Sequence, residues 1–230
     1  MEKESNPTGI RQWVIPDLHG CLLTLQVLLD KIAPNKEDKL FFLGDYINKG
    51  PNSYALIAFL MSLKTKGYRV SFLMGNHEYH LKRYFDNKAK RGEYKINDEL
   101  KFEMANNHKR KVVLSFLDSL APFIELENHF LVHAGFDFSV QNPFDDVNSM
   151  ISIRNFKYSK TKAASKTIIH GHHPHLLSDI IKRVEKENKI LPLDNGCVYH
   201  NKPGMGNLLA YSLLDRSITI VRNRENKGTN

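Results

Sequence analysis

Hard oxygen donors and imidazoles recur together at five points along the 230 residues: Asp17-Leu18-His19-Gly20, Gly44-Asp45, Gly75-Asn76-His77-Glu78, His133-Ala134-Gly135 and Gly171-His172. Carboxylate and amide oxygens mixed with imidazole nitrogens suit borderline divalent ions such as Mn, Fe or Zn. One such residue alone has a bland reading. An Asp or Asn at a strand end is usually a turn former or a helix cap, and a His after an apolar run is usually a hydrogen-bonded core residue. A set of them, each ending an apolar run, exceeds what capping explains and points to a shared metal site. The glycines beside His133 and His172 would let the backbone approach such a site closely.

The elements that must position these residues alternate. Residues 11–18, 39–46 and 68–76 are short apolar runs of the buried-strand type, and 21–33 and 53–66 carry apolar residues at helical spacing. Three strands separated by helices imply parallel pairing with right-handed crossovers. The carboxyl ends of such strands form the ligand crevice of an open α/β sheet, and the first three motifs sit there. Residues 78–91 and 98–120 read as helices. From Phe123 onward the pattern is of short strands, expected to form a more antiparallel sheet, with a hairpin turning at Asp215-Arg216.

Size and composition set the bounds. The chain is 41% hydrophobic and 25% charged, as expected for one well-cored domain, here assigned to residues 10–222, with flexible tails at 1–9 and 223–230. No stretch is apolar enough to span a membrane, and the polar N-terminus lacks a secretory signal, so a cytoplasmic address is expected. Cys21 and Cys197 are too far apart in sequence to form a metal pair and read as reduced thiols. The net charge of +8 is spread along the chain, with residues 82–111 the one dense stretch. That stretch reads either as a solvated helical face or as a basic rim attracting anionic substrates; nucleic acid is not the expected partner.

The five ordered motifs, with Asn48-Lys49-Gly50 following Asp45, resemble the calcineurin-like metallophosphoesterases. The likeness runs from about residue 12 to 200 and is closest to the phosphoprotein phosphatase branch, including its bacterial and phage members and the symmetrical diadenosine tetraphosphatases. It implies an α/β fold, mixed α+β in detail: a two-sheet β-sandwich flanked by helices in four αββα layers. It also implies two divalent ions, Mn first with Fe or Zn as alternatives. Asp17, His19 and Asp45 would hold one ion, with Asp45 bridging; Asn76, His133 and His172 would complete the other. His77 would be the general acid, supported from position 48, and Lys49 and Arg154 would grip the substrate phosphate. The implied activity is hydrolysis of phosphate monoesters, in first place phosphoserine or phosphothreonine in proteins or peptides. Dinucleoside polyphosphate hydrolysis is the alternative, and a non-catalytic, metal-bound phospho-ligand binder is the rival from another class.

Three departures bear on that choice. Pro16 stands where Gly is usual, at a strand end where a missing N–H costs little. Asn48 and Lys49 replace Asp and Arg. Asn48 can still accept a hydrogen bond from His77 but brings no negative charge to support it, and Lys49 keeps a cation but loses the planar fork that fits phosphate. Several positions stay open: His170 as an alternative to His172, His173 at the cleft, Asp194 as a site contact and Asn195 as a structural turn residue. Tyr46, Tyr79 and Tyr199 are candidates for stacking a nucleobase.

Overall fold

The computed structural model describes residues 9–86 and 96–225. Its first unit is the expected one: β1 (Gln12–Ile15), α1 (Leu22–Ile32), β2 (Lys39–Phe42), α2 (Ser53–Thr65) and β3 (Arg69–Phe72). The three strands pair in parallel, with Ile15 beside Phe42 and Phe42 beside Phe72 at their carboxyl ends. α3 (Asn76–Phe85) follows, and the part of the expected helix beyond 86 lies outside the described residues. The single helix expected over 98–120 is two, α4 (Asp98–Met104) and α5 (Asn107–Asp118). The break is a capping effect. The Asn106 side chain accepts from the backbone N–H groups of His108 and Lys109, which starts a new helix in the middle of an apolar pattern that would otherwise run on.

The second half corrects the expected sheet. β4 (Phe123–Glu125) pairs antiparallel with β5 (His129–Val132), but β5, β6 (Thr167–His170) and β7 (Ile190–Pro192) are parallel. Parallel neighbours need crossovers, and two helices passed over in the sequence lie within them: α6 (Val147–Ser152) and α7 (Leu177–Glu185). The hairpin is as expected, β8 (Asn207–Ser212) with β9 (Ile218–Arg222), but it joins the first sheet through β1. The sheets are β3-β2-β1-β8-β9 and β4-β5-β6-β7.

Period-two alternation sorts the core into layers. Trp13, Ile15, Leu40 and Phe42 face the helices α1, α2 and α5, while Val14 and Phe41 face Leu131, Ile169 and Leu191 of the other sheet. Phe130, Val132 and Ile168 turn outward onto Phe136 and Met150. The result is the expected four-layer mixed α/β fold. No helix among the described residues is long and apolar enough to cross a membrane.

Residues 223–225 are not a loose tail. Asn223 bonds the Cys197 carbonyl, and the Glu225 carboxylate accepts from Thr24 and Asn52. In the basic stretch, Lys82 pairs with Asp118, Lys101 with Asp98 and Lys109 with Glu103. Those pairs favour the solvated-face reading there.

Burial, with Arg216 and Lys189 nearby, lowers His129 at the start of β5 to about 4. A folded value below the ordinary 6.5 means that the unfolded chain takes the proton first. Stability therefore falls as pH drops from about 6.5 toward 4, by up to about 1.4 kcal/mol per pH unit. In His129→Gln the pH slope of unfolding free energy across that window should be shallower by up to that amount.

Candidate metal centre

All five motifs meet at the carboxyl ends of the parallel strands. β1 delivers Asp17 and His19, β2 Asp45, the start of α3 after β3 Asn76 and His77, β5 His133 and β6 His172. The backbone is bent hard to bring them there: His19, Asp45, Asn48, Lys49 and His172 all have φ between 45° and 67°. Non-glycine residues hold that conformation only where surrounding structure enforces it, and such positions gather at functional sites. Two glycines clear the space. A Cβ on Gly75 would strike an oxygen of Asp45, and one on Gly171 would strike an oxygen of Asp17.

Asp45 lies at the centre. One oxygen is 3.4 Å from His19 Nε2 and 3.9 Å from His77 Nε2, and the other is 3.5 Å from His133 Nε2. Two groups of potential ligands therefore share it: His19, Asp45 and His77, and Asp45, His133 and His172. Asp17 stands slightly apart, 4.0 Å from both His19 and His133, and accepts from the His172 backbone N–H. Asn76 Oδ1 is 3.3 Å from His133 Nε2 and 3.0 Å from His172 Nδ1. The six positions expected to hold metal are thus brought together, and His77 is brought in with them.

The ring orientations fit metal binding. His19 Nδ1 donates to the Ile47 carbonyl and His133 Nδ1 to the Leu43 carbonyl. A ring whose Nδ1 carries the proton presents the Nε2 lone pair, the usual way a protein aims a ligand histidine. Burial lowers His19 to about 3, with Lys49 and His77 adding to the effect against Asp45. His133 is also lowered, by burial first, so both rings are neutral and ready to coordinate. Burial pushes Asp17 up, together with Asp194 and Asp45, whereas His133, His19, His77 and Lys49 overcome burial and hold Asp45 down. The Lys49 ammonium sits 2.8 Å from His19 Nε2, near enough to act to lower Asp17, Asp45 and Asp194. Buried carboxylates, an amide oxygen and inward lone pairs together suit a pair of borderline divalent ions.

His172 and His170 have different surroundings. His172 touches Asn76, whereas His170 is turned away against the Phe156 ring at 5.6 Å. Arg154 is exposed, yet close enough to help lower His172 after burial and His133 have done so. Asp194 is buried close to Asp17, and burial lifts it to about 7. Asn195 is structural, as expected: it donates to the carbonyls of His175 and Gly204 and accepts from Asn207.

Position 48 departs from expectation. The Asn97 backbone N–H lies 3.4 Å from Asn48 Oδ1, so turning the amide over would set two donors face to face. This leaves Asn48 Nδ2 donating to His77 Nδ1 at 2.8 Å. The amide was expected to accept from His77 and instead donates to it. A ring nitrogen that accepts carries no proton, so His77 is neutral, with its hydrogen on Nε2. Burial lowers the His77 pKa further, with Lys49, His133 and His80 adding to it and Asp45 opposing.

Sequence reading missed the group that holds the β2 turn. Glu78 is fully buried, and its carboxylate accepts from the backbone N–H groups of Asp45, Tyr46, Ile47 and Gly75. The signal was an acid three residues after the Gly75 that caps α3, a capping-box spacing. In Glu78→Gln one amide oxygen cannot serve four donors, and each buried N–H left alone costs about 1–3 kcal/mol. Thermal denaturation should show a clear loss of stability, and metal titration should show about 10- to 100-fold weaker binding. Wild-type values for both would mean that the turn holds itself.

A symmetrical bis(5'-nucleosyl)-tetraphosphatase of Cellvibrio japonicus is 41% identical over 70 residues, 30% of this chain and 25% of that one. Its counterpart in Legionella pneumophila strain Corby is 44% identical over 70 residues, covering 30% and 24%. Each match therefore spans about a quarter of the relative's length. Among solved structures, a protein provisionally named a diadenosine tetraphosphatase aligns over 95% of this chain and 96% of its own, with a TM-score of 0.63 and 21% identity. A Saccharomyces cerevisiae serine/threonine phosphatase aligns over 97% and 83%, with a TM-score of 0.66 and 17% identity. At such identities the structural likeness speaks for the fold alone. The model of the calcineurin-like phosphoesterases matches residues 10–215, nearly the whole described chain, and the protein belongs to that family of hydrolases.

Proposed function

We propose that this phosphoesterase hydrolyses phosphoanhydrides of the dinucleoside polyphosphate type, in place of the phosphoserine or phosphothreonine substrates put first from sequence. The observation that carries this reading is the Asn48 amide donating to His77 Nδ1. An alkoxide leaving from phosphoserine is a strong base and needs a proton in the transition state. A nucleoside polyphosphate is a weak base and departs without one. A neutral imidazole that cannot accept a second proton while Asn48 occupies its lone pair is a poor acid, so the site suits the second leaving group. The names of the 41% and 44% identical relatives point the same way.

Asp17, His19 and Asp45 are the proposed ligands of one ion, and Asp45, Asn76, His133 and His172 those of the other. Manganese is favoured for this mixed oxygen and nitrogen donor set, with iron and zinc as alternatives. When bound, the pair lowers the pKa of a water toward neutrality and neutralises phosphate oxygens. The chain's own groups do the rest: Lys49 and Arg154 hold phosphate oxygens, and His77 Nε2–H donates a neutral hydrogen bond at the cleft. The two free, buried thiols of Cys21 and Cys197 fit the cytoplasmic address expected from sequence.

The test is turnover by the Mn-loaded protein of diadenosine tetraphosphate against a phosphoserine peptide. A general acid contributes about 10²- to 10⁴-fold, so kcat/KM should favour the anhydride by at least about 10². Faster turnover of the peptide would overturn the reading. Absence of turnover on both, with metals bound, would return the non-catalytic binder.

A further inference from the structure

We propose that Tyr199 is a stacking platform for a nucleobase, placed so that a nucleoside whose phosphate is held at the metal centre lays its base on this ring. The proposal takes its ligand class, a nucleoside phosphate, from the anhydride reading above.

Position is the first support. The Lys49 ammonium, 2.8 Å from His19 Nε2 in the metal centre, is also 5.8 Å from the centroid of the Tyr199 ring. One lysine therefore touches both the metal-ligand cluster and the aromatic face. On the same ring, Lys202 Nζ lies 4.5 Å from the centroid. An aromatic ring with ammonium groups over it supplies what a base and its trailing phosphates require together: a π face that the base can take in their place, and cations on flexible stems that can turn to the phosphates.

Rigidity is the second. The ring packs on main chain, since a Cβ on Gly196, itself at φ 63°, would come within 2.6 Å of Tyr199 Cδ2 and 3.2 Å of Pro174 Cβ. The Tyr199 N–H donates to the Gly196 carbonyl, and the Lys202 N–H donates to the Tyr199 carbonyl. Asn195 ties the ends of this loop together through His175, Gly204 and Asn207. A platform that is already fixed costs little ordering entropy when a ligand lands on it.

The other two tyrosines are removed as candidates. Tyr46 is fully buried, its hydroxyl 3.1 Å and 3.0 Å from the carbonyls of Phe42 and Leu73. Tyr79 follows His77 by two positions on α3, about 200° around the helix, and packs beside Arg83. Tyr199 is half-buried, with part of its surface left open.

Stacking on a π face discriminates little between bases and is worth about 1–3 kcal/mol per base, or roughly 5- to 150-fold in affinity. The binding pair that reads it is adenosine α,β-methylene diphosphate and methylenediphosphonate, neither of which can be hydrolysed at the bridge. Calorimetry on the Mn-loaded full chain gives the ratio of their affinities. In Tyr199→Ala that ratio should fall at least about fivefold, and in Tyr199→Trp it should hold or rise. Tyr199→Leu keeps apolar bulk against Pro174 without a π face; it should behave as the alanine variant does and serves in its place should that variant misfold. A ratio unchanged by Ala and Leu, or both ligands weakened equally, would overturn the platform and leave Tyr199 a packing residue. Turnover of diadenosine tetraphosphate by the wild type decides the anhydride reading separately, because the ratio is measured without catalysis.

Discussion

Asp45→Asn is expected to lose metal and turnover together, with Mn stoichiometry falling from about two equivalents toward one or less. The substitution leaves the backbone alone, since Asn tolerates the left-handed conformation that Asp45 holds at φ 52°. What changes is charge and donor polarity between the two ligand groups. Asp45 Oδ2 faces His19 and Oδ1 faces His133, and no other side chain belongs to both candidate groups. Removing a carboxylate from between two cations leaves their repulsion uncompensated, and an amide NH₂ in its place can turn a hydrogen toward a lone pair meant for metal. Metal assistance is worth several kcal/mol in the transition state, so kcat/KM should fall at least about 10³-fold. Asn76→Ala removes one neutral oxygen from one ion and should lose less of both. Elemental analysis and turnover read the two variants side by side. A Asp45→Asn protein with wild-type turnover would end the bridging assignment.

The candidate metal centre was legible in the sequence because its proposed ligands are tied to strand ends, and strand ends can be read from apolar runs. The alternation of β1, α1, β2, α2 and β3 fixes a parallel register, and that register alone brings Asp17, Asp45 and Asn76 to one edge. The second sheet was harder to read. Residues 123–193 show short apolar runs, and nothing local states whether such a run pairs with its neighbour or crosses over to a parallel partner. The amphipathic nine residues of α7 decide this for β6 and β7, and they were overlooked beside the histidines that precede them.

Groups acting through the backbone were least visible. Glu78 looks like an ordinary helix N3 acid, and its service to the β2 turn, more than thirty residues back, exists only once β2 and β3 lie side by side. The orientation of Asn48 depends in the same way on a backbone N–H from Asn97, forty-nine residues on. Sequence gives the residue at position 48 but not which end of its amide meets His77. That difference turned the expected hydrogen bond around and shifted the favoured substrate.

Asn48→Asp should reverse that choice. An aspartate there can accept from the Asn97 backbone N–H and from His77 Nδ1–H at once, because a carboxylate has acceptor sites on both oxygens and no donor. The proton then belongs on His77 Nδ1, and a second proton on Nε2 is stabilised by the new negative charge. The His77 pKa, now lowered chiefly by burial, should rise, which restores an imidazolium able to protonate a leaving oxygen. Partners of this kind are worth about 10- to 100-fold, and the gain should follow leaving-group basicity. It should be largest for a phosphoserine peptide, small for p-nitrophenyl phosphate, whose phenolate leaves unaided, and small for diadenosine tetraphosphate. The pH profile adds a sign: an acid that must be protonated gives a rate on phosphoserine that falls as pH rises through the new His77 pKa, a limb the wild type should lack. Equal gains on all three substrates, or a gain without that limb, would mean that position 48 acts on the metals or the fold, and the leaving-group basis for the anhydride substrate would be withdrawn.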